Sequence, residues 1–211
     1  MDFFELFYNN LVNTGLVEYI AVLAGITSVW FEKRENILVY PVGIVNVLLY
    51  VYICFNARLY ADSGINLFYF VVSVFGWYNW SRKKSGSNEK LHISINTLKQ
   101  KILYFLITVV AFAVIVSVLM IFNRNDQEYV SSYVPWIDAG VSAVCLMGMW
   151  LCALKRVDNW YYYIIGNAVS IPMYISKGLV FTSFQYLVFL TLSIMGLIEW
   201  KKKWEKANRT V

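Results

Sequence analysis

Apolar residues run along this chain in seven blocks, roughly 16–31, 37–55, 60–80, 102–122, 133–154, 160–176 and 179–200, separated by short polar or charged breaks. The fourth block carries no charge over 21 residues. At about 1.5 Å per residue it spans about 31 Å as a helix, the thickness of a bilayer core. The pattern predicts an all-α integral membrane protein of seven transmembrane helices, arranged as two parallel three-helix repeats joined by a linker helix (3+1+3). The expected divisions are a first repeat at 16–80, a cytoplasmic loop at 81–101, the linker at 102–122, a second repeat at 133–200 and a basic cytoplasmic tail at 201–211.

The duplication rests on landmarks that recur in order. Asn36-x6-Gly43 is matched by Asn159-x6-Gly166, and Ser73-x2-Gly76-x3-Trp80 by Ser193-x2-Gly196-x3-Trp200. The two matches need a small gap between them. A three-helix unit begins and ends on opposite sides of a membrane, so one extra crossing is needed to bring a second copy into the orientation of the first. Basic residues set the direction. With the loop 81–101 in the cytoplasm, 15 of the 18 Lys and Arg residues fall inside and only Arg58, Arg124 and Lys177 outside. The N-terminus is then outside and the C-terminus cytoplasmic.

Composition agrees with this and narrows the chemistry. Hydrophobic residues make up 59% and charged residues 15%, beyond the range of soluble domains. The net charge of +5 reflects inside-facing lysines and arginines rather than a nucleic-acid partner. Cys54, Cys145 and Cys152 lie in apolar runs with no paired spacing, and the single histidine, His92, falls in the polar loop. No phosphate-binding Gly-Lys-Ser/Thr loop, metal-ligand cluster or nucleophile–base set is present in the sequence, so neither ATP-driven transport nor an enzyme is expected and no cofactor is called for.

Polar side chains at membrane depth are the candidates for function, because lipid offers them no hydrogen-bond partner. Asp62, Asn66, Tyr69, Ser73 and Trp77 follow at steps of four, three, four and four and share one helical face. Gly43, Asn46 and Tyr50 do so in the second span, Tyr163, Asn167, Ser170 and Tyr174 in the sixth, and Gln185, Phe189 and Ser193 in the seventh. Amides with flat aromatic rings suit a polar heteroaromatic ligand, which can be stacked and hydrogen-bonded at its edge. The expected substrate contacts are Asn46, Asn66, Tyr69, Ser73, Asn167, Ser170, Tyr174 and Gln185, with Trp77 or Trp150 as a stacking plane. Asn46 and Ser73 serve equally well as interhelical bonds, and Asp62 as a helix cap. Trp80, Trp200 and Trp204 read as an interfacial aromatic belt. Pro41 and Pro172 mark kinks, as hinges or only as shape.

These residues resemble the bacterial PnuC family of vitamin transporters. The stretches that carry the resemblance are Asn36-Ile-Leu-Val-Tyr-Pro41-Val-Gly43, Leu59-Tyr-Ala-Asp62-Ser-Gly-Ile-Asn66-Leu-Phe-Tyr69 and Phe75-Gly76-Trp77-Tyr78-Asn79-Trp80. In the second half they are Asp158-Asn159-Trp160, Ile165-Gly166-Asn167-Ala-Val-Ser170-Ile-Pro172-Met-Tyr174 and Thr182-Ser183-Phe184-Gln185-Tyr186-Leu187. The resemblance implies a fold similar to the sugar-transporting SWEET family, a homotrimer in the bacterial inner membrane, and uptake of nicotinamide riboside by facilitated diffusion. It also implies a cytoplasmic riboside kinase that traps the product by phosphorylation. Relatives of the same architecture carry thiamine, riboflavin or deoxynucleosides, so thiamine or another vitamin is the alternative substrate. A seven-helix ligand sensor that moves nothing is the alternative from a different class.

Overall fold

The computed structural model describes residues 5, 7–8, 11–12, 15–57, 59–82, 91–176 and 178–209. Arg58, Lys177, the Ser85-Gly86-Ser87-Asn88 linker and the last two residues of the tail lie outside this set. After a few helical residues near the N-terminus, the described chain forms α1 (Leu16–Lys33), α2 (Val39–Asn56), α3 (Tyr60–Ser81), α4 (Leu98–Phe122), α5 (Gln127–Ser131), α6 (Val134–Ala153), α7 (Asn159–Ser176) and α8 (Val180–Arg209). Four of these, α2, α4, α6 and α8, are long and apolar enough to cross a membrane by length and composition. The short α5 has no counterpart in the apolar pattern.

Local chemistry sets the ends. Thr97 and Gln100 form a capping box that starts α4 a turn before its uncharged run, each satisfying a backbone N–H of the other's residue. Pro135 stands in the first turn of α6 and Pro41 in the first turn of α2, where no intrahelical bond is lost. Pro172, by contrast, lies inside α7 and removes a bond there. Of the two prolines read as kinks, only Pro172 has the position to weaken its helix. α8 runs well past the expected end of its span to Arg209.

α1, α2 and α3 pack on one another in sequence, as do α6, α7 and α8, and the two triplets meet through α1 against α8 and α3 against α6. α4 packs along α6, burying a stripe of Thr108, Val116 and Leu119 and leaving Leu103, Phe105, Val110 and Val114 exposed. Such an outer surface suits lipid and not water.

The triplets share one register. α2 and α7 differ by 120 positions at both ends (39 to 159, 56 to 176), and α3 and α8 begin at 60 and 180. Contacts obey the same shift. Ser63 Oγ donates to Val51 O at 3.2 Å, and Ser183 Oγ to Ile171 O at 3.0 Å. A Cβ on Gly76 would sit 2.3 Å from the Tyr40 ring, and one on Gly196 would sit 2.5 Å from the Trp160 ring. Elsewhere the large and small partners change places: Gly43 faces Ser28 while Tyr163 faces Gly148, and Gly25 faces Asn46 while Cys145 faces Gly166. The Ser73/Ser193 landmark therefore holds, whereas the Asn36/Asn159 landmark, 123 positions apart, is corrected. Gly43 corresponds to Tyr163, and Gly166 to Asn46.

At one end of the bundle, where the basic turns lie, equivalent residues meet. Glu35 (φ 60°) and Lys155 (φ 50°) each turn the chain after the first helix of a triplet, and they bond to each other at 2.9 Å. Trp80 Nε1 donates to Cys152 O at 3.0 Å and Trp200 Nε1 to Glu32 O at 3.1 Å, each indole capping an end carbonyl of the opposite triplet. Positions related by the 120 shift thus touch at the same end of the bundle. The belt reading of Trp80 and Trp200 is corrected too. They are 3% and 0% exposed and belong to a core with Tyr40, Cys152, Val157 and Trp160.

Residues 91–97, part of the expected cytoplasmic loop, lie across this end. Leu91, Ile93 and Ile95 pack on the aromatic core. Between them Ser94 N donates to Lys155 O at 3.0 Å and Ser94 O accepts from Val157 N at 2.9 Å. Asn96 N donates to Asp158 Oδ2 at 2.8 Å, and Lys101 pairs with Asp158 at 3.4 Å.

Candidate functional site

Between the triplets, away from the basic end, aromatic rings and amides converge on the axis. Tyr174 and Tyr186 stack at 5.0 Å and 14°, and Phe189 meets Tyr186 edge-on at 5.9 Å. Gln185, buried on α8, lies within polar reach of the half-buried Tyr50 of α2. Tyr69 of α3 donates its hydroxyl to Ser142 O of α6 at 3.1 Å. Both contacts cross from one triplet to the other. Tyr69 is within electrostatic range of Tyr174 and Cys145, and Tyr186 of Tyr50 and Cys145, so these side chains line one interior zone. Asn46 and the Phe189 ring close the zone over Gly25, 2.9 and 3.3 Å from where a Cβ would stand.

Of the ten expected contacts, Asn46, Tyr69, Tyr174 and Gln185 are brought to this cage. Asn46 also donates to Ala21 O at 2.7 Å, tying α2 to α1. Asn167 is buried and donates to Ser193 Oγ at 3.2 Å, tying α7 to α8. Ser73 is buried at the α3 face, and Ser170 is fully buried with its hydroxyl on Gly166 O at 2.9 Å. Asn66 donates to Asp62 O of its own helix at 2.9 Å. Trp77 is 42% exposed, and Trp150, 37% exposed, stacks on Phe75 at 5.1 Å and 10°. Tyr186 and Ser142 were not singled out from the sequence. Tyr186 lies beside Gln185 and so falls off the stripe that periodicity picks out, and Ser142 contributes a backbone oxygen that no side-chain pattern reveals.

Toward the other end, Tyr129 of α5 donates to Asp138 of α6 at 3.4 Å. Burial, with the Asp138 carboxylate beside it, holds the Tyr129 phenol protonated above its ordinary range. Among the described residues no group of three His, Cys, Asp or Glu side chains could hold a metal. Chemically, the cage offers phenol and amide hydrogen bonds and ring faces, with the carboxylates of Asp62 and Asp138 within electrostatic range of Tyr174.

A family model described as nicotinamide mononucleotide transporter matches residues 15–202. The chain belongs to this family. It is a family of multi-pass membrane transporters and not of enzymes. The nicotinamide riboside transporter PnuC of Escherichia coli is 26% identical, over 95% of this chain and 94% of its own. The riboflavin/roseoflavin transporter RibM of Streptomyces davaonensis is 22% identical, over 99% of this chain and 93% of its own. A crystal structure of the vitamin B3 transporter PnuC superposes with a TM-score of 0.68 at 22% identity, covering 97% of this chain and 90% of that one. That likeness shows the same fold over nearly the whole chain.

Proposed function

We propose that this chain carries nicotinamide riboside across the bacterial inner membrane by facilitated diffusion. The observation that supports the reading is the cage of Tyr50, Tyr69, Tyr174, Gln185, Tyr186 and Phe189 between the triplets, with Asp62 and Asp138 in electrostatic range of it. A cationic pyridinium ring gains about 0.5–2 kcal/mol from each well-placed aromatic face, and its carboxamide and ribose hydroxyls find amide and phenol partners. A phosphate would lose its hydration with no cation among these side chains to replace it, which costs several kcal/mol. The cage accordingly favours the riboside over its mononucleotide, and a kinase inside the cell would trap what has crossed. Relatives named for nicotinamide riboside and for riboflavin support a vitamin of this kind.

In this reading the chain spans the membrane seven times as 3+1+3. The repeats occupy 16–80 and 133–200, the linker helix 102–122, and the basic loop 81–101 and tail 201–211 lie in the cytoplasm. α1, α3 and α7 cross with their register partners, since Lys33, Arg34, Lys155, Arg156 and Lys201 to Lys203 all gather at one end. The N-terminus is outside and the protein works as a homotrimer.

Calorimetry with nicotinamide riboside, its mononucleotide, thiamine and riboflavin tests the reading. Binding of the riboside with none of the mononucleotide is expected. Preference for thiamine or riboflavin replaces the substrate and keeps the path. No uptake of any of the four into liposomes would favour a sensor. Uptake that follows the substrate gradient alone, unchanged by an imposed proton or sodium gradient, supports uniport.

A further inference from the structure

The polar bonds that cross between the triplets are concentrated at the basic end. Besides the two indole caps and the Glu35–Lys155 pair, Asn79 Nδ2 donates to Ala153 O at 2.7 Å, Asn159 Nδ2 donates to the Glu32 carboxylate, and Lys203 reaches Glu35 at 3.4 Å. Lys155 also stands 4.5 Å over the Trp80 ring. A cleft of about 360 Å³, lined by Arg34, Glu35, Asn36, Ile37, Trp80 and Lys155, leads from solvent to this set and ends on it. Beneath lie Trp80, Trp160 and Trp200, nearly without exposure, with Trp160 edge-on to Trp200 at 5.5 Å and Trp80 tilted against Trp200 at 6.0 Å.

A half-buried ion pair such as this one adds little to stability alone, because desolvation of the buried Lys155 offsets much of its attraction to Glu35. This one has a different property. Both partners sit on turns at the membrane surface, so a small parting of the triplets returns both charges to water together. Hydration then replaces the pair, and both states of the contact are satisfied. The indole bonds behave alike, since each ends on a helix-terminal carbonyl that water can serve once it is uncovered. No bond named here is needed to hold either triplet together internally.

We propose that Glu35 and Lys155, with Trp80 and Trp200 beneath them, form the cytoplasmic gate of the path, shut in this conformation, and that the triplets part here as two bodies. The strap 91–97 bonds to Lys155, Val157 and Asp158 and α4 packs on α6, so both travel with the second triplet. The proposal rests on the transporter reading but not on which vitamin is carried.

Cys152 is a built-in reporter. It is 3% exposed, with its sulfur 3.8 Å from the Tyr40 hydroxyl behind the closure. In the purified full chain carrying C54S and C145S, its alkylation by a polar maleimide measures how often the gate opens. Losing one charged partner is expected to speed labelling about tenfold in Glu35→Gln and in Lys155→Gln. The double variant should label no faster than the quicker single, because the two act on one contact. Trp80→Phe keeps the ring, removes the donor to Cys152 O, and should shift labelling in the same direction. Unchanged labelling in the single variants, or additive acceleration in the double, overturns the proposal. So does acceleration accompanied by a fall in Tm of more than about 5 °C, which would mark general loosening. Labelling needs no substrate, so a failure of the vitamin assignment leaves this result readable, and a failed gate leaves the binding assays untouched.

Discussion

Gln185 separates a ligand contact from a structural one. Its contact with Tyr50 links α8 to α2, so Gln185→Leu leaves the half-buried phenol without that partner, at a cost of about 1 kcal/mol. If the amide only holds helices together, adding Tyr50→Phe should restore both Tm and binding, since removing both partners is nearly neutral. The cage reading predicts otherwise: Tm recovers in the double variant while affinity for the riboside stays at least about tenfold down, measured by thermal melting and calorimetry on the same samples. The glycines make a sharper stability test. Gly76→Ala puts a methyl group 2.3 Å from the ring of buried Tyr40, and Gly196→Ala one 2.5 Å from that of buried Trp160. Each should destabilise by about 1–3 kcal/mol or more through overpacking. Gly64 lies in α3 with nothing near its missing Cβ, so Gly64→Ala should be neutral or stabilise by up to about 1 kcal/mol. Equal falls in Tm at all three sites would refute the close-packing account.

The strap and α4 form a single unit whose hinge is Asp158. One oxygen of Asp158 accepts from Asn96 N and the other faces Lys101, so this buried carboxylate joins the strap, the start of α4 and the α6–α7 turn. Asp158→Ala should free residues 91–97 while leaving the capping box of α4 in place. Hydrogen exchange should then rise through the strap and stay slow in α4 from Lys101 onward. Protection unchanged in 91–97 would mean that Leu91, Ile93 and Ile95 hold the segment by burial alone. Those three residues show what could have been read earlier. Apolar and polar positions alternate from Leu91 to Asn96, the period of an extended segment with one buried face, and Thr97-x-x-Gln100 is a legible helix start. The surrounding lysines and serines hid both. Nothing in the letters, by contrast, marks Glu35 and Lys155 as left-handed turn residues, because neither is a glycine or asparagine.

At the scale of the molecule, the apolar blocks were legible because a membrane demands long uninterrupted helices, and the third-helix landmark was legible because both copies keep Ser, Gly and Trp at one spacing. The register of the first two helices was not. There the copies share a contact but exchange its partners, Gly25 with Asn46 against Cys145 with Gly166, so letter matching slides by three residues to align glycine with glycine. What survives duplication is the volume at a contact and not the residue on either side of it. The same geometry says where the chain can be cut. Among the described residues the strap's hydrogen bonds and most of α4's packing fall on the second half, so residues from Leu91 onward form one packed body. The two halves meet through α1 against α8, α3 against α6, and the closure at the basic end. A chain split between Gly86 and Ser87 and coexpressed as two fragments should therefore reassemble, with a tag on one fragment recovering the other in equal amount and the pair binding the riboside. The cut severs no contact described here and leaves each triplet continuous. Moving the cut between Leu119 and Met120 instead breaks α4 where Leu119 packs on Ala139, and recovery should fall. If the first split gives no complex while the second does, α4 belongs to the first triplet and the division of the molecule at the strap is wrong.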